Sequence, residues 1–338
     1  MNGRLLWFGT TFALSAALAA YLTPTIRRGA LTFGVMDQPD GGLKRQTEAV
    51  PYLGGIAVYL AYLLTLSVVF EFGPQLLGLL LGGTLMTMLG LFDDLRVLSP
   101  ALKLVGQLLG AWVLLRCGIY IKLMWLPEWV TLGLSVLWIV GVTNAVNIID
   151  VSDGLTGSVG AVAAFALFLV ALANGNDLIA TATLALCGSL LGFLPTNWAP
   201  ARIYLGDAGS LFVGFMLASL SMIGAYSDHN LYAVAAPLGI LLVPLCDITL
   251  VSVVRLRKGM SPLRGSPDHF ALRLKARGWS TARVAHFAWI LGACGAAAAW
   301  CLIEAPPTLA PWLLLGGGVA ALLLLAWFGT LPPPAPRR

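Results

Sequence analysis

Residues 129–155, WVTLGLSVLWIVGVTNAVNIIDVSDGL, run from apolar to polar without a break. The stretch Trp129–Val146 carries no charge and is close to the roughly 20 residues that cross a bilayer as helix. At its end Asn144, Asn147, Asp150 and Asp153 recur at intervals of three. Ionisable side chains at a membrane boundary are costly and therefore point to function. If the helix continues through the stretch, this spacing keeps all four groups within about a third of its circumference. Two carboxylates and two amides on one surface suit a divalent cation with oxygen ligands, or a sugar held by amide hydrogen bonds. A polar cap that merely ends the span accounts for one Asp, but poorly for two Asp and two Asn in register.

Composition agrees with a membrane-spanning reading of that run. The 338 residues are 59% hydrophobic and 10% charged, with a mean hydropathy of +0.87, which excludes an ordinary soluble domain. The fold class expected is all-α, a polytopic membrane protein with a single integral membrane domain over 1–338. About eleven spans can be drawn, at 5–26, 52–70, 75–92, 102–119, 129–147, 155–173, 178–195, 208–226, 231–254, 284–304 and 309–329. The weakest are 102–119, which contains Lys103 and Arg116, and the separation of the second span from the third. The first span reads as a retained anchor, not a cleaved signal, because it is long and Arg27 and Arg28 follow it. Five cysteines lie in or beside apolar runs without C-x-x-C spacing and read as packing residues. The pairs Gly78/Gly82, Gly106/Gly110 and Gly188/Gly192 read as close helix contacts.

With the N-terminus outside and the C-terminus cytoplasmic, seventeen of the Lys and Arg residues fall in cytoplasmic segments and only Arg4, Arg116 and Lys122 outside. The net charge of +5 is then an orientation signal, and nucleic acid is not an expected partner. The same topology collects Asp37, Asp40, Asp93, Asp94, Asp150, Asp153, Asp207 and Asp268 on the cytoplasmic face, in loops near 27–51, 93–101, 147–154, 196–208 and 255–283. Adjacent Asp93 and Asp94 repel unless they share a cation or a proton; a solvated pair ending the helix is the plainer reading. In RIYLGDAGS, 202–210, Asp207 can cap the following helix, or bind a cation while free backbone N–H groups face a phosphate. The loop 255–283 holds eight basic residues, and its His269, beside Asp268, is a candidate phosphate donor or proton carrier.

Taken together, DQPDGGLKRQTEAVPYLGG (37–55), LGLFDD (89–94), NAVNIIDVSDGL (144–155), NWAPARIYLGDAGS (197–210) and GMSPLRGSPDHFALRL (259–274) resemble the motifs of the polyprenyl-phosphate N-acetylhexosamine-1-phosphate transferases, in the family's order. Eleven spans resemble the bacterial GlcNAc-1-phosphate transferase branch more than the related muramoyl-pentapeptide translocases. The resemblance implies transfer of a sugar-1-phosphate from a UDP-sugar to a polyprenyl phosphate, with release of UMP, as the first membrane step of a cell-surface glycan pathway. It implies Mg2+, with Mn2+ as a substitute, at the cytoplasmic face of the bacterial inner membrane. By motif position Asp207 resembles the metal ligand, and Asp93, Asp94, Asp150 and Asp153 the catalytic acids. Asn147 falls at a family position around the nucleotide and catalytic centre, Asn197 and Tyr204 where the family contacts uridine, and Lys44, Arg45 and His269 where it meets phosphates or the sugar. UDP-sugar, polyprenyl phosphate and the lipid bilayer are the expected partners, and a homodimer is compatible with them.

Three loops depart from the family pattern, and the departure in the last one falls where the resemblance implies sugar choice. Val151-Ser152 replaces the usual Gly-Leu between the two acids, Gln46 replaces a His after Lys44-Arg45, and Leu272 replaces the second His of the last loop. Two other classes compete. A secondary transporter usually places its acids near midplane on broken helices, whereas only Asp247 lies clearly inside a span here. An intramembrane prenyltransferase would use Asp150 and Asp153 as a D-x-x-D magnesium motif, but leaves GDAGS and the basic DHF loop unexplained.

Overall fold

In hydrocarbon a chain must satisfy its backbone hydrogen bonds internally, which for apolar runs of this length means helices. The computed structural model describes residues 2–37, 49–69, 73–224, 226, 230–261 and 266–333. Thirteen helices follow there: α1 (Asn2–Thr32), α2 (Gly54–Val69), α3 (Pro74–Leu95), α4 (Pro100–Arg116), α5 (Glu128–Ile148), α6 (Leu155–Ala173), α7 (Asp177–Asn197), α8 (Gly206–Met222), α9 (Ala236–Ile240), α10 (Leu242–Arg257), α11 (Phe270–Ala276), α12 (Thr281–Glu304) and α13 (Ala310–Thr330). Among the described residues seven are long and apolar enough to cross a membrane: α1, α3, α5, α6, α7, α12 and α13. This is an all-α polytopic membrane protein.

Each of the eleven apolar runs contains helix, with α2, α4, α8 and α10 only 16 or 17 residues long. The run 231–254 differs from expectation. It begins as a 3-10 turn, Leu231–Ala235, continues into α9, and bends by 76° before α10. A short antiparallel pair, β1 (Met36–Asp37) with β2 (Val50–Pro51), and the helix α11 inside the last polar loop were also not anticipated.

Helix α8 is the hub. Its residues Ala208–Ser221 are all buried, and α3, α5, α2, α6 and α7 pack around it. Small residues permit the closeness: a Cβ on Gly82 would meet the Phe215 ring of α8 at 2.5 Å, and one on Gly192 would overlap the Ala16 carbonyl of α1. The glycine pairs are therefore contact points, as expected. At the far periphery α13 is almost wholly exposed, the surface a lipid-facing helix presents. The acids gather at one end of the bundle, where Arg27 Nε of α1 donates to the Arg202 carbonyl at 2.9 Å. At the opposite end of α1, Arg4 pairs with Asp177.

Candidate active site

Two acids end helix α3, and the fold sends them in different directions. The Asp94 carboxylate accepts from the backbone N–H of Asp207 at 2.9 Å and of Ala208 at 3.0 Å. It therefore caps the N-terminus of α8 from another helix, where an anion is favoured by the aligned peptide dipoles. The approach requires glycine twice. A Cβ on Gly90 would overlap the Asp207 backbone; one on Gly206, at φ 73°, would lie 2.6 Å from the Tyr52 carbonyl oxygen and 2.8 Å from Asp94 Oδ2. This corrects the expectation that free N–H groups of the GDAGS turn face a phosphate: those of Asp207 and Ala208 are occupied. Nor does Asp207 cap its own helix, since α8 has no side-chain cap.

Asp93 turns instead toward Asp207. Its Oδ1 accepts from Leu98 N at 2.7 Å, and its Oδ2 contacts the ammonium of Lys103. Lys103 Nζ also lies 2.9 Å from Asp207 Oδ2. The other oxygen, Asp207 Oδ1, accepts from Asn147 Nδ2 at 3.0 Å, and the same amide nitrogen reaches Ser210 Oγ at 2.8 Å. Two carboxylates thus face a single ammonium. Lys103 was missed from the sequence as a site residue, although a lysine in an otherwise apolar span was itself the signal.

The run through Asn144, Asn147, Asp150 and Asp153 is not one helical face. Helix α5 stops at Ile148, and residues 150–154 turn before α6, Gly154 taking φ 70°. Asn144 leaves the site altogether, exchanging amide hydrogen bonds with Gln107 of α4 at 3.2 and 2.8 Å. Asp153 Oδ2 accepts from Ala201 N at 3.1 Å. Burial pushes the Asp150 carboxyl up to about 7, with the charges of Asp207 and Asp153 adding to the effect. Asn197 pins the turn, accepting from Gly154 N at 3.1 Å and donating to the Ile203 carbonyl at 3.0 Å. Tyr204 is fixed through its backbone, which pairs with Pro51 and Gly54. Burial, with the negative charges of Asp153, Asp37 and Asp150, pushes its phenol up to about 12, so it stays neutral.

The opposite wall comes from α10 and the segment around α11. His269 Nδ1 lies 2.8 Å from Asp247 Oδ2, and Asp247 Oδ1 accepts from Phe270 N at 2.8 Å. Asp268, one of the acids assigned to the cytoplasmic face, is enclosed: Lys258 Nζ reaches both of its oxygens at 2.9 and 2.8 Å, and Arg273 Nη2 donates to it at 3.0 Å. Burial alone would raise its carboxyl, but these two cations hold it below the usual range. Arg255 Nε donates to Ser266 Oγ at 2.9 Å. Lys44 and Arg45 lie outside the described residues.

Between the walls is a cavity of about 740 Å3, lined by Asp37, Asp93, Asp94, Asp150, Ser152, Asp153, Asn197, Tyr204, Asp207, Arg255, His269 and Lys275 among others. It is large enough for a nucleotide-sized ligand. Among the described residues no group of three or more His, Cys, Asp or Glu is placed to hold a metal ion by itself. The donors at Asp93 and Asp207 are hard oxygens already gathered about one positive charge, a set that fits a hard divalent cation completing its sphere with water and ligand phosphates.

A profile of glycosyl transferase family 4 matches residues 76–225. The chain is 29% identical over 291 residues to a probable undecaprenyl-phosphate N-acetylglucosaminyl 1-phosphate transferase of Bacillus subtilis (strain 168), covering 83% of this chain and 80% of the relative. It is 30% identical over 272 residues to the decaprenyl-phosphate N-acetylglucosaminephosphotransferase of Mycobacterium leprae (strain TN), covering 69% and 68%. A phospho-N-acetylmuramoyl-pentapeptide-transferase of Bacillus cytotoxicus is 28% identical over 316 residues, covering 86% and 95%.

Proposed function

The chain belongs to the polyprenyl-phosphate N-acetylhexosamine-1-phosphate transferase family, and from that premise we propose that it transfers an N-acetylhexosamine 1-phosphate from a UDP-sugar to a polyprenyl phosphate. It is a phosphoglycosyltransferase. An oxygen of the lipid phosphate attacks the sugar-bearing phosphorus of the donor, the bond from that phosphorus to the bridging oxygen breaks, and UMP leaves. The observation that carries this reading is the charge layout of the cavity, with Asp93 and Asp207 sharing Lys103 on one wall and Arg255, His269 and Lys275 on its lining.

Mg2+, or Mn2+ in its place, would be held by Asp207 with Asp93 beside it, and when bound would supply charge neutralisation for two phosphorylated substrates. Asn147 orients the Asp207 carboxylate through its hydrogen bond. A phosphate monoester has its second pKa near 6, so the acceptor is mostly ionised at neutral pH and Asp93 serves to position it. Asp150 and Asp153 flank the reacting phosphates, Tyr204 offers a neutral ring to the uracil, and Asn197 holds the turn that carries them. Lys44 and Arg45 belong with the phosphate contacts.

On this reading the protein lies in the bacterial cytoplasmic membrane, and we propose from its apolar runs and Lys/Arg distribution that it crosses about eleven times with the cavity and C-terminus on the cytoplasmic side, at the first membrane step of a cell-surface glycan. Purified protein given radiolabelled UDP-N-acetylglucosamine, undecaprenyl phosphate and Mg2+ should move label into the lipid fraction with stoichiometric UMP. Absence of lipid-linked label with every UDP-N-acetylhexosamine tried defeats the reading. For orientation, in a background without native cysteines, cysteine at Arg277 should react with an impermeant reagent only from the cytoplasm and at Asp177 only from outside; the reverse pattern would invert the topology.

A further inference from the structure

Asp247 is the one acid that the sequence places inside a span and that the transfer chemistry above does not use. It is fully buried on α10, where an unpaired carboxylate would be costly. Both of its oxygens are engaged by one short segment: Oδ2 by His269 Nδ1 and Oδ1 by the backbone N–H of Phe270, each at 2.8 Å. Among the described residues no cation reaches it within ion-pair distance apart from His269 itself. His269 in turn is nearly buried and lines the cavity. In a neutral imidazole, a carboxylate facing Nδ1 selects the tautomer with the proton on that nitrogen and leaves Nε2, on the other side of the ring, with a lone pair.

We propose that Asp247 is a positioning residue: it holds His269 as the Nδ1–H tautomer and aims Nε2 into the cavity, where it accepts a hydrogen bond from a hydroxyl or amide N–H of the donor sugar. The proposal rests on the transferase reading for its substrate but not for its tautomer. The second hydrogen bond, to Phe270 N, ties the ring's position to the start of α11, so ring and backbone are set by one side chain. A neutral Nε2 acceptor differs from the phosphate-donor role that position alone suggested for this histidine, because a lone pair repels a phosphate oxygen and attracts an O–H or N–H.

Asp247→Asn separates positioning from mere support. Asparagine keeps the size and can still accept from Phe270 N, but its Nδ2 donates to His269 Nδ1 and so forces the Nε2–H tautomer. In the full-length protein in nanodiscs, kcat for UDP-N-acetylglucosamine should fall about tenfold to hundredfold, the usual effect of removing a partner that orients an imidazole, with KM for undecaprenyl phosphate unchanged. The chain has only three histidines, so 15N-histidine spectra report the tautomer directly, with His269→Gln assigning the signal. The expected wild-type signal is Nδ1–H, converting to Nε2–H in Asp247→Asn. An Nε2–H tautomer in the wild type overturns the proposal whether or not the variant folds, and so does an Asp247→Asn enzyme within twofold of wild-type kcat. If the wild type transfers no sugar at all, the transferase reading fails, while the spectra still decide the tautomer.

Discussion

On the wall built by α3, α4, α5 and α8, Asp93 and Asp207 divide one ammonium between them; on the wall built by α10 and α11, Asp268 alone is held by both Lys258 and Arg273, and Asp247 by His269 and a backbone N–H. Among the described residues the first wall therefore has two carboxylates to one ammonium, and the second has two cations on Asp268 alone. The proposed cation would be drawn to the former, and the negative groups of the proposed substrates would face Arg255 and Lys275 of the lining. Acids that look alike in sequence thus divide into those available to a ligand and those consumed by the fold, and the difference lies entirely in their partners.

The comparison breaks most sharply at Asp207. Asp207→Asn retains size but removes charge, and turnover should fall on the order of a thousandfold, the scale of a lost metal contact worth several kcal/mol. Near-normal turnover at saturating Mg2+ would defeat the proposed metal role of Asp207.

Next in size is Gly90→Ala. Its Cβ would overlap the Asp207 backbone, so α3 and α8 must part. Activity should drop about a hundredfold, as displacements near 1 Å can cause, together with a lower thermal midpoint in detergent. Unchanged values of both would show that the two helices have slack at the site.

Asp94→Asn addresses the acid that caps instead of binding. One oxygen can no longer accept, and stability should fall by about 0.5–2 kcal/mol, with the Mg2+ concentration for half-maximal rate unchanged. A large shift in that concentration would return Asp94 to the group of available acids.

Asp150 has a pH signature. Its carboxyl is raised to about 7 in the folded protein against about 3.9 unfolded, so between these values the folded state binds more protons. Its contribution to stability is present at low pH and is lost as pH rises from about 4 through about 7, then stays flat. The thermal midpoint of the wild type minus that of Asp150→Asn should decline across this window; a difference that grows with pH would reverse the assignment. The smallest effect belongs to the far end of the bundle. Arg4→Ala removes an exposed pair with Asp177, and should change stability by no more than about 1 kcal/mol and leave transfer rates as they were.

Much was legible before any coordinates. Hydropathy located every long helix because a bilayer demands uninterrupted apolar segments, and glycines at four-residue spacing became helix contacts because only they permit close backbones. The break between α9 and α10 was not legible, since Leu241, where the bend falls, is as apolar as its neighbours. The end of α5 at Ile148 was legible, falling one residue beyond the span drawn at 129–147, but the turn at Gly154, which takes Asp150 and Asp153 off a single helical face, was not.

The sequence by itself determined that this is a membrane-embedded all-α chain, that it carries the ordered motifs of a sugar-phosphate transferase, and that Asp93, Asp94, Asp150, Asp153 and Asp207 lie at or beyond the ends of its apolar runs. Only the tertiary structure decided what each acid does. Asp94 meets its partner N–H 113 residues away, Asn147 meets Asp207 across 60, and Lys103 meets it across 104. A carboxylate's availability depends on which donors lie within about 3 Å of it, and at such separations in the chain those donors are chosen by helix packing, which no local pattern records.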